Sequence, residues 1–213
     1  MKVYVISGLG ADQKVLEKLK FNPGLEVVFL DWLIPEKRES FAHYVERMAV
    51  AVDQTKPFYL LGYSFGGIIV QEIHKIKKAK KIVILASITS HKEKPRLIHW
   101  LGKLKITYLM PDAFFGRKTI LLYAYIRKKL EPNRLDIIQY FRVANPHYLR
   151  WSINKIIEWK KEKDPDVIQI MGDKDIVFPI KNTQPHYTIR GGTHLFPLLK
   201  SKEVSAILNT LFV

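Results

Sequence analysis

Short apolar runs that alternate with amphipathic segments constrain the fold of this chain more than any other feature. The runs are apolar on both faces, whereas a strand with one face in water would alternate apolar and polar residues. The segments between the runs have apolar residues at helical spacing, which predicts helices, and Ser40 is placed to cap one of them. The runs span 2–7, 25–30, 58–63 and 81–87, and the predicted helices span 11–20, 40–53 and 66–78. The pattern predicts a parallel sheet covered by helices on both sides.

The alternation stops after the fourth run and resumes near residue 166. Residues 90–163 contain helical segments but no convincing strand, and Pro95, Pro111, Pro132 and Pro146 mark breaks between the helices. The predicted helices of this part span 113–130, 133–144 and 147–161; strands follow at 166–173 and 186–190, and a last helix at 201–211. The sequence therefore predicts a single α/β domain over residues 1–213, with residues 90–163 inserted as a helical cap.

The motif Gly62-Tyr63-Ser64-Phe65-Gly66 stands where the third strand gives way to a helix. G-x-S-x-G alone fixes three of five positions, but a buried strand before it and a helix after it are what a nucleophile elbow requires. Such a turn strains the serine backbone and holds the hydroxyl at a helix N-terminus, where N–H groups favour developing negative charge. The alternative is a packing turn that happens to contain serine. The context favours Ser64 as a nucleophile.

A serine nucleophile needs a base, and the base needs an acceptor that orients it. Of the seven histidines, only His194 falls on a loop directly beyond a strand in the position required. Asp173 and Asp175 follow the strand at 166–173, at the edge where parallel sheets build their sites. Asp173 could simply cap the turn. Asp175 is therefore preferred, although the residues alone do not decide between the two.

Together the motifs resemble those of the α/β-hydrolase-fold superfamily, in the form of a small esterase-like member with a cap. The resemblance rests on GYSFGG, on GDKDIVFP for the acid loop, on GGTHLFP for the histidine loop and on VISGLGAD after the first strand. It implies that Ser64, Asp175 and His194 form a catalytic triad, in the superfamily's chain order. It also implies that the backbone N–H groups of Leu9 and Phe65 form the oxyanion hole.

The resemblance further implies an α/β-hydrolase fold with about six mostly parallel strands, because the first strand already leads to the oxyanion loop. The superfamily's first two strands then have no counterpart here. Ser7 stands where the superfamily often has histidine, which leaves the backbone donors in place. Aromatic residues of the predicted cap are candidates for pocket lining, although the cap's own core is favoured for most of them. They are Trp100, Tyr108, Phe114, Phe115, Tyr123, Tyr125 and Trp151.

The formal net charge is +15, and residues 90–160 carry +10 of it, with fifteen Lys or Arg against five Asp or Glu. A basic surface can attract nucleic acid, acidic lipid or anionic substrates. No nucleic-acid-binding motif accompanies the charge, so a solvated lysine-rich surface is favoured and no nucleic-acid partner is expected.

The sequence contains no run of eighteen apolar residues, so no membrane span is expected. The N-terminal residues resemble a strand more than a signal peptide, which makes a cytoplasmic location the expectation.

Neither a cofactor nor a metal is expected. Gln13 stands where a dinucleotide-binding fingerprint starting at Gly8 would need its third glycine, and histidines do not cluster with carboxylates. The chain has no cysteine, so thiolate nucleophiles and cysteine ligands are excluded.

The predicted function is hydrolysis of a small-molecule carboxylic ester or thioester through an acyl-enzyme. The alternatives are a C–C hydrolase or lyase of the same fold and a non-catalytic binder, and the oligomeric state stays open.

Overall fold

One parallel sheet forms the centre of the protein. The computed structural model describes residues 1–130 and 137–213. Its strands are β1 (Lys2–Ile6), β2 (Glu26–Phe29), β3 (Phe58–Tyr63), β4 (Lys81–Leu85), β5 (Val167–Gly172) and β6 (Tyr187–Ile189). They pair in the order β2-β1-β3-β4-β5-β6, and every pair is parallel. The predicted six-stranded parallel sheet is confirmed, and the carboxyl ends of all strands meet at one edge.

Helices cover the sheet and form most of the segment between β4 and β5. They are α1 (Phe41–Ala49), α2 (Phe65–Ile76), α3 (Arg96–Leu104), α4 (Ile106–Leu109), α5 (Arg117–Leu130), α6 (Pro146–Glu158), α7 (Phe196–Leu199) and α8 (Ser201–Leu211). The hydroxyl oxygen of Ser40 accepts from the His43 N–H and so caps α1, as its position predicts. Within the described residues, none of these helices has both the length and the apolar character needed to cross a bilayer.

The strands are apolar on both faces because each face packs against helices. In β1, Tyr4 and Ile6 join the core that includes α1 and α2. Val3 and Val5, on the opposite face, pack with residues of α8. Every second side chain therefore enters one of two separate cores, which explains why the sequence shows continuous apolar runs and no alternation.

The helix predicted over residues 11–20 is wrong. Only a 3-10 turn, Gln13–Val15, forms there, and the side chain of Asp12 accepts from the Lys14 N–H at 2.9 Å. Farther along, the Lys20 N–H donates to Ser205 Oγ of α8 at 2.8 Å. Val15, Leu16 and Leu19 are buried against the sheet. Their helical spacing thus reflects burial of a segment of short turns, whose ends bond to distant parts of the chain through the N–H groups of Asp12 and Lys20.

The helix predicted over residues 133–144 is also wrong where the structure describes it. Pro132 and residues 133–136 lie outside the described residues. The remainder holds a 3-10 turn, Ile138–Tyr140, followed by extended chain. The N–H groups of Arg142 and Val143 donate to Gly10 O at 2.9 and 3.0 Å, and Phe141 bridges Ala11. The backbone here bonds to the loop after β1, so a helix cannot form.

Candidate active site

Ser64 sits on a strained turn between β3 and α2. Its φ of 52° and ψ of −119° are unusual for a residue with a side chain. The glycines of the motif permit this turn, because a Cβ on Gly62 would lie 2.4 Å from Gly66 O and one on Gly66 would lie 2.3 Å from Ile6 O. The strand and the helix therefore approach more closely than any other residues would allow. The turn holds the Ser64 hydroxyl at the N-terminus of the twelve-residue helix α2.

Three side chains from different loops form a continuous chain of hydrogen bonds. Ser64 Oγ lies 2.9 Å from His194 Nε2, and His194 Nδ1 lies 2.8 Å from Asp175 Oδ2. The other oxygen of Asp175 accepts from the N–H groups of Val177 and Phe178 at 2.8 and 3.0 Å. Because Asp175 orients the ring through Nδ1–H, Nε2 is left to accept a proton from Ser64. His194 and Asp175 are each 5% exposed, so this chain is shielded from water.

Asp173, the other acidic candidate, does not join this arrangement. It is half-buried on the turn directly after β5. Its Oδ1 atom has no hydrogen-bond partner among residues 1–130 and 137–213. The structure therefore brings Ser64, His194 and Asp175 together and leaves Asp173 aside.

The two predicted backbone donors lie beside Ser64. Phe65 is the first residue of α2, and the first N–H groups of a helix have no acceptor within it. Leu9 belongs to the loop after β1 and lines the same cavity as Ser64. Leu9 follows β1 and Phe65 follows β3, and these two strands are neighbours, so both residues lie at the carboxyl edge of the sheet.

Two aromatic residues that sequence reasoning missed hold the Leu9 loop. Trp32, just after β2, donates from Nε1 to Gly8 O at 2.9 Å and stacks on Phe65 with ring centroids 5.3 Å apart. Tyr148, on α6, accepts from the Gly10 N–H at 3.1 Å. Neither residue lies in a recognisable motif, so no sequence signal could have found them. Tyr63, inside the motif, adds a bond from its hydroxyl to His194 O at 3.1 Å.

A cavity of about 360 Å³ opens above Ser64 and His194. Its walls are almost wholly apolar, and Arg127 adds a buried guanidinium to one of them. Helices between β4 and β5 supply much of the wall: Ile98 and Leu101 from α3, Thr119, Ile120, Tyr123 and Arg127 from α5, and Leu149, Ile153, Ile156 and Ile157 from α6. Desolvation in such a space strengthens the hydrogen bonds at its floor.

The predicted aromatic candidates divide into three groups. Phe115 and Tyr123 line the cavity, whereas Trp151 packs in the core beside α1. The other four are exposed, against the expectation of a pocket or a core position: Trp100, Tyr108, Phe114 and Tyr125.

Solved structures with the same architecture decide the fold. The thioesterase RedJ of the prodiginine pathway of Streptomyces coelicolor is 15% identical, with a TM-score of 0.65 over 99% of this chain and 89% of that one. A lipase-esterase related protein from Clostridium acetobutylicum is 17% identical, with a TM-score of 0.64 over 100% and 94%. An esterase from Thermogutta terrifontis is 13% identical, with a TM-score of 0.58 over 99% and 89%. This chain has the α/β-hydrolase fold. At the level of sequence, no protein-family model and no curated protein matches it.

Ser7, where the resemblance led us to expect a histidine, takes part in the loop after β1. Ser7 Oγ donates to Ala11 O at 2.6 Å and accepts from Trp32 Nε1 at 3.2 Å. These bonds close the loop after β1 on itself and on the residue that follows β2. The serine thus supports the loop that carries Leu9.

The expectation that no histidine clusters with carboxylates is wrong at one place among the residues described, away from the cavity: Glu36, Glu39 and His43 lie close enough together to share a cation. Arg47 Nη1 already donates to both carboxylate oxygens of Glu39 at 2.9 Å. Burial raises the pKa of Glu39, but the hydrogen bonds from Arg47 and its neighbours outweigh it and leave the pKa below the usual value. The guanidinium therefore supplies the positive charge that this buried carboxylate requires.

Proposed function

We propose that this protein is a serine hydrolase that cleaves a carboxylic ester or thioester. The observation that carries the proposal is the hydrogen-bonded chain from Ser64 through His194 to Asp175, with Ser64 on a strained turn at the floor of an apolar cavity. The names of the similar structures, a thioesterase and an esterase, agree with that chemistry.

In the first half of the reaction, Ser64 Oγ attacks the substrate carbonyl while His194 Nε2 takes the hydroxyl proton. Asp175 holds the ring through Nδ1 and stabilises the imidazolium that forms. The tetrahedral oxyanion accepts hydrogen bonds from the N–H groups of Leu9 and Phe65. Removing one such donor typically costs about 10²–10³ in rate. His194 then gives its proton to the leaving alcohol or thiol, which leaves the acyl group on Ser64.

In the second half, water attacks the acyl-enzyme. His194 Nε2 takes a proton from the water as the new C–O bond forms, and the same backbone donors hold the second oxyanion. The proton returns to Ser64 Oγ as the bond to the acyl group breaks. The carboxylic acid leaves and Ser64 is restored.

The substrate we propose has an apolar acyl group that fills the cavity. The aliphatic and aromatic walls offer few hydrogen-bond partners, so burial of apolar surface must supply most of the binding free energy. We propose that residues 90–163 act as one cap over the site, because α3, α5 and α6 all turn side chains into the cavity above Ser64.

Hydrolysis of p-nitrophenyl esters with acyl chains of two to twelve carbons tests the proposal, with an acyl thioester assayed in parallel. We expect turnover by the wild type, a preference for chains longer than acetyl, and loss of turnover in Ser64→Ala. Ser201→Ala, at the start of α8, is the matched serine control and should retain full activity. Absence of turnover on every ester and thioester by a folded wild type would reject the proposal.

A further inference from the structure

The outward face of α3 carries an apolar stripe that no described part of the chain covers. Leu97, Trp100 and Leu104 follow the i, i+3, i+7 spacing of one helix face. Leu97 is 68% exposed and Trp100 is 62% exposed. Ile98 and Leu101, next to this stripe on the same side of α3, line the cavity. The helix therefore has one broad apolar face, of which one edge meets the cavity and the other edge has no partner among the described residues.

Helix α5, on another wall of the cavity, also exposes apolar side chains, here on the face opposite the cavity. Its inward face contributes Ile120 and Tyr123 to the lining. Its outward face exposes Leu121, Leu122, Tyr125 and Ile126, which lie within two adjacent helical turns. Leu122 is 58% exposed and Tyr125 is 60% exposed. We call the exposed residues of α3 and α5 the outer cap face.

Positive charge surrounds these apolar side chains. Arg96–Leu104 and Arg117–Leu130 contain no acidic residue. Lys103 Nζ lies 5.9 Å from the ring centroid of Trp100, and Lys129 Nζ lies 5.7 Å from that of Tyr125. The exposed basic residues of the outer cap face are Arg96, Lys103, Arg117, Lys118, Lys128 and Lys129. Exposed aromatics, leucines and flexible lysines on one helix are the pattern of helices that lie in the headgroup region of a bilayer.

We propose that the outer cap face docks on the surface of a membrane that contains anionic lipids. The aromatic and aliphatic side chains enter the headgroup boundary, and the basic side chains contact phosphate groups. A second copy of the chain fits less well, because two basic surfaces of a protein with net charge +15 repel one another. Nucleic acid would satisfy the charge but would leave the leucines of both helices in water.

Docking in this way puts the cavity next to the bilayer. The helices that would touch lipid are the same helices whose inner faces line the space above Ser64. An apolar acyl substrate dissolved in the bilayer would therefore lie one helix layer from the site. The docking itself depends on the surface and not on the chemistry of Ser64, so it stands apart from the proposed hydrolysis.

Co-sedimentation with extruded vesicles tests the proposal. The vesicles consist of phosphatidylcholine alone or of phosphatidylcholine with about 30% phosphatidylglycerol. We expect the wild type and Ser64→Ala to bind the anionic vesicles equally. Binding should fall by on the order of tenfold or more when phosphatidylglycerol is omitted or when salt is raised from about 0.1 to 0.5 M. Trp100 fluorescence should shift to shorter wavelength on binding, and Trp100→Phe should abolish most of that shift.

Paired variants separate the outer cap face from the rest of the surface. Lys103→Gln with Lys129→Gln should weaken vesicle binding roughly tenfold or more, whereas Lys14→Gln with Lys18→Gln, the same charge change on exposed lysines far along the chain, should not. Leu97→Ser with Leu104→Ser should also weaken binding, and Val50→Ser, at a residue 80% exposed, should not.

Three outcomes would overturn the proposal. The first is wild-type binding no greater to anionic than to neutral vesicles. The second is equal loss of binding in the cap variants and their controls. The third is a concentration-dependent dimer, or a complex with double-stranded DNA, that forms without vesicle binding and that the cap variants disrupt. Circular dichroism of each variant confirms that it is folded before binding is compared.

Discussion

Ser64 Oγ and His194 Nε2 lie 2.9 Å apart although 130 residues separate them in the chain. Each follows a strand of the same parallel sheet, Ser64 after β3 and His194 after β6, so both loops emerge at one edge. The residue before Ser64 strengthens the pairing, because the Tyr63 hydroxyl donates to His194 O. The contact is thus made by two loops that leave the same edge of the sheet.

Replacing Asp175 by Asn should lower kcat by roughly 10³–10⁴-fold, because the amide no longer fixes the tautomer and charge of His194. Asp173→Asn is the matched control, since it makes the same change two residues away, outside the hydrogen-bonded chain. Steady-state kinetics on one ester compares them. An equal loss in both variants would contradict the role assigned to Asp175.

Replacing Gly66 by Ala should destabilise the fold by about 1–3 kcal/mol or more, because the new Cβ would lie 2.3 Å from both Ile6 O and Ser7 O. These are backbone atoms, which cannot rotate away. Gly24→Ala is the control, since a Cβ there meets nothing within 4 Å. Urea denaturation gives the free energy of unfolding for both, and a Gly66→Ala protein as stable as Gly24→Ala would contradict the close approach of α2 to β1.

Tyr148→Phe should lower kcat by roughly tenfold, because the Gly10 N–H loses its acceptor and the loop that carries Leu9 loses its tie to α6. Tyr4→Phe removes a comparable bond, in which the Asp53 N–H donates to a buried tyrosine hydroxyl, far from Ser64. Both variants should lose about 1–3 kcal/mol of stability. Only Tyr148→Phe should also lose activity when assayed under conditions in which both proteins are folded, and equal activities would reject the positioning role.

The free energy of unfolding should depend on pH in a way that reflects the titration of Lys94. Burial, with a smaller contribution from nearby Lys160, lowers the pKa of Lys94 to about 8, and its ammonium donates to Ile157 O and Trp159 O at the end of α6. Between pH 8 and the ordinary lysine pKa near 10.5, the unfolded chain binds a proton that the folded chain has lost. Unfolding then takes up a proton and becomes less favourable as pH rises.

Lys94→Met removes this titration. The free energy of unfolding of the wild type minus that of Lys94→Met should therefore rise as pH increases from about 8 towards 10.5. Taking the difference cancels the contributions of all groups that titrate alike in both proteins. A difference that stays flat or falls across this range would show that Lys94 is not held in a desolvated position.

The sheet and the site could be predicted because their signals are local. The strand predicted at 58–63 and the helix predicted at 201–211 match β3 and α8, since apolar runs and helical spacing are read within a few residues. Ser64, Asp175 and His194 each stand in a short motif next to a strand end. The parallel sheet then dictates that such ends share one edge.

The remaining features depend on contacts between distant parts of the chain. Residues 11–20 have helical spacing but form turns, with Lys20 bonded to α8, and residues 141–143 bond to the loop after β1. Trp32 and Tyr148 support the Leu9 loop from distant parts of the chain, and no local sequence pattern predicts either contact. The exposed position of Trp100 runs against the usual burial of large aromatic residues.

Active-site labelling with a fluorophosphonate probe tests the central claim most directly. The probe phosphonylates a serine only where that hydroxyl is activated, so the wild type should be labelled at Ser64 within minutes. Ser64→Ala should show no label, and His194→Gln should label far more slowly because the base at 2.9 Å is missing. A folded wild type that stays unlabelled, or label that persists in Ser64→Ala, would contradict Ser64 as the nucleophile.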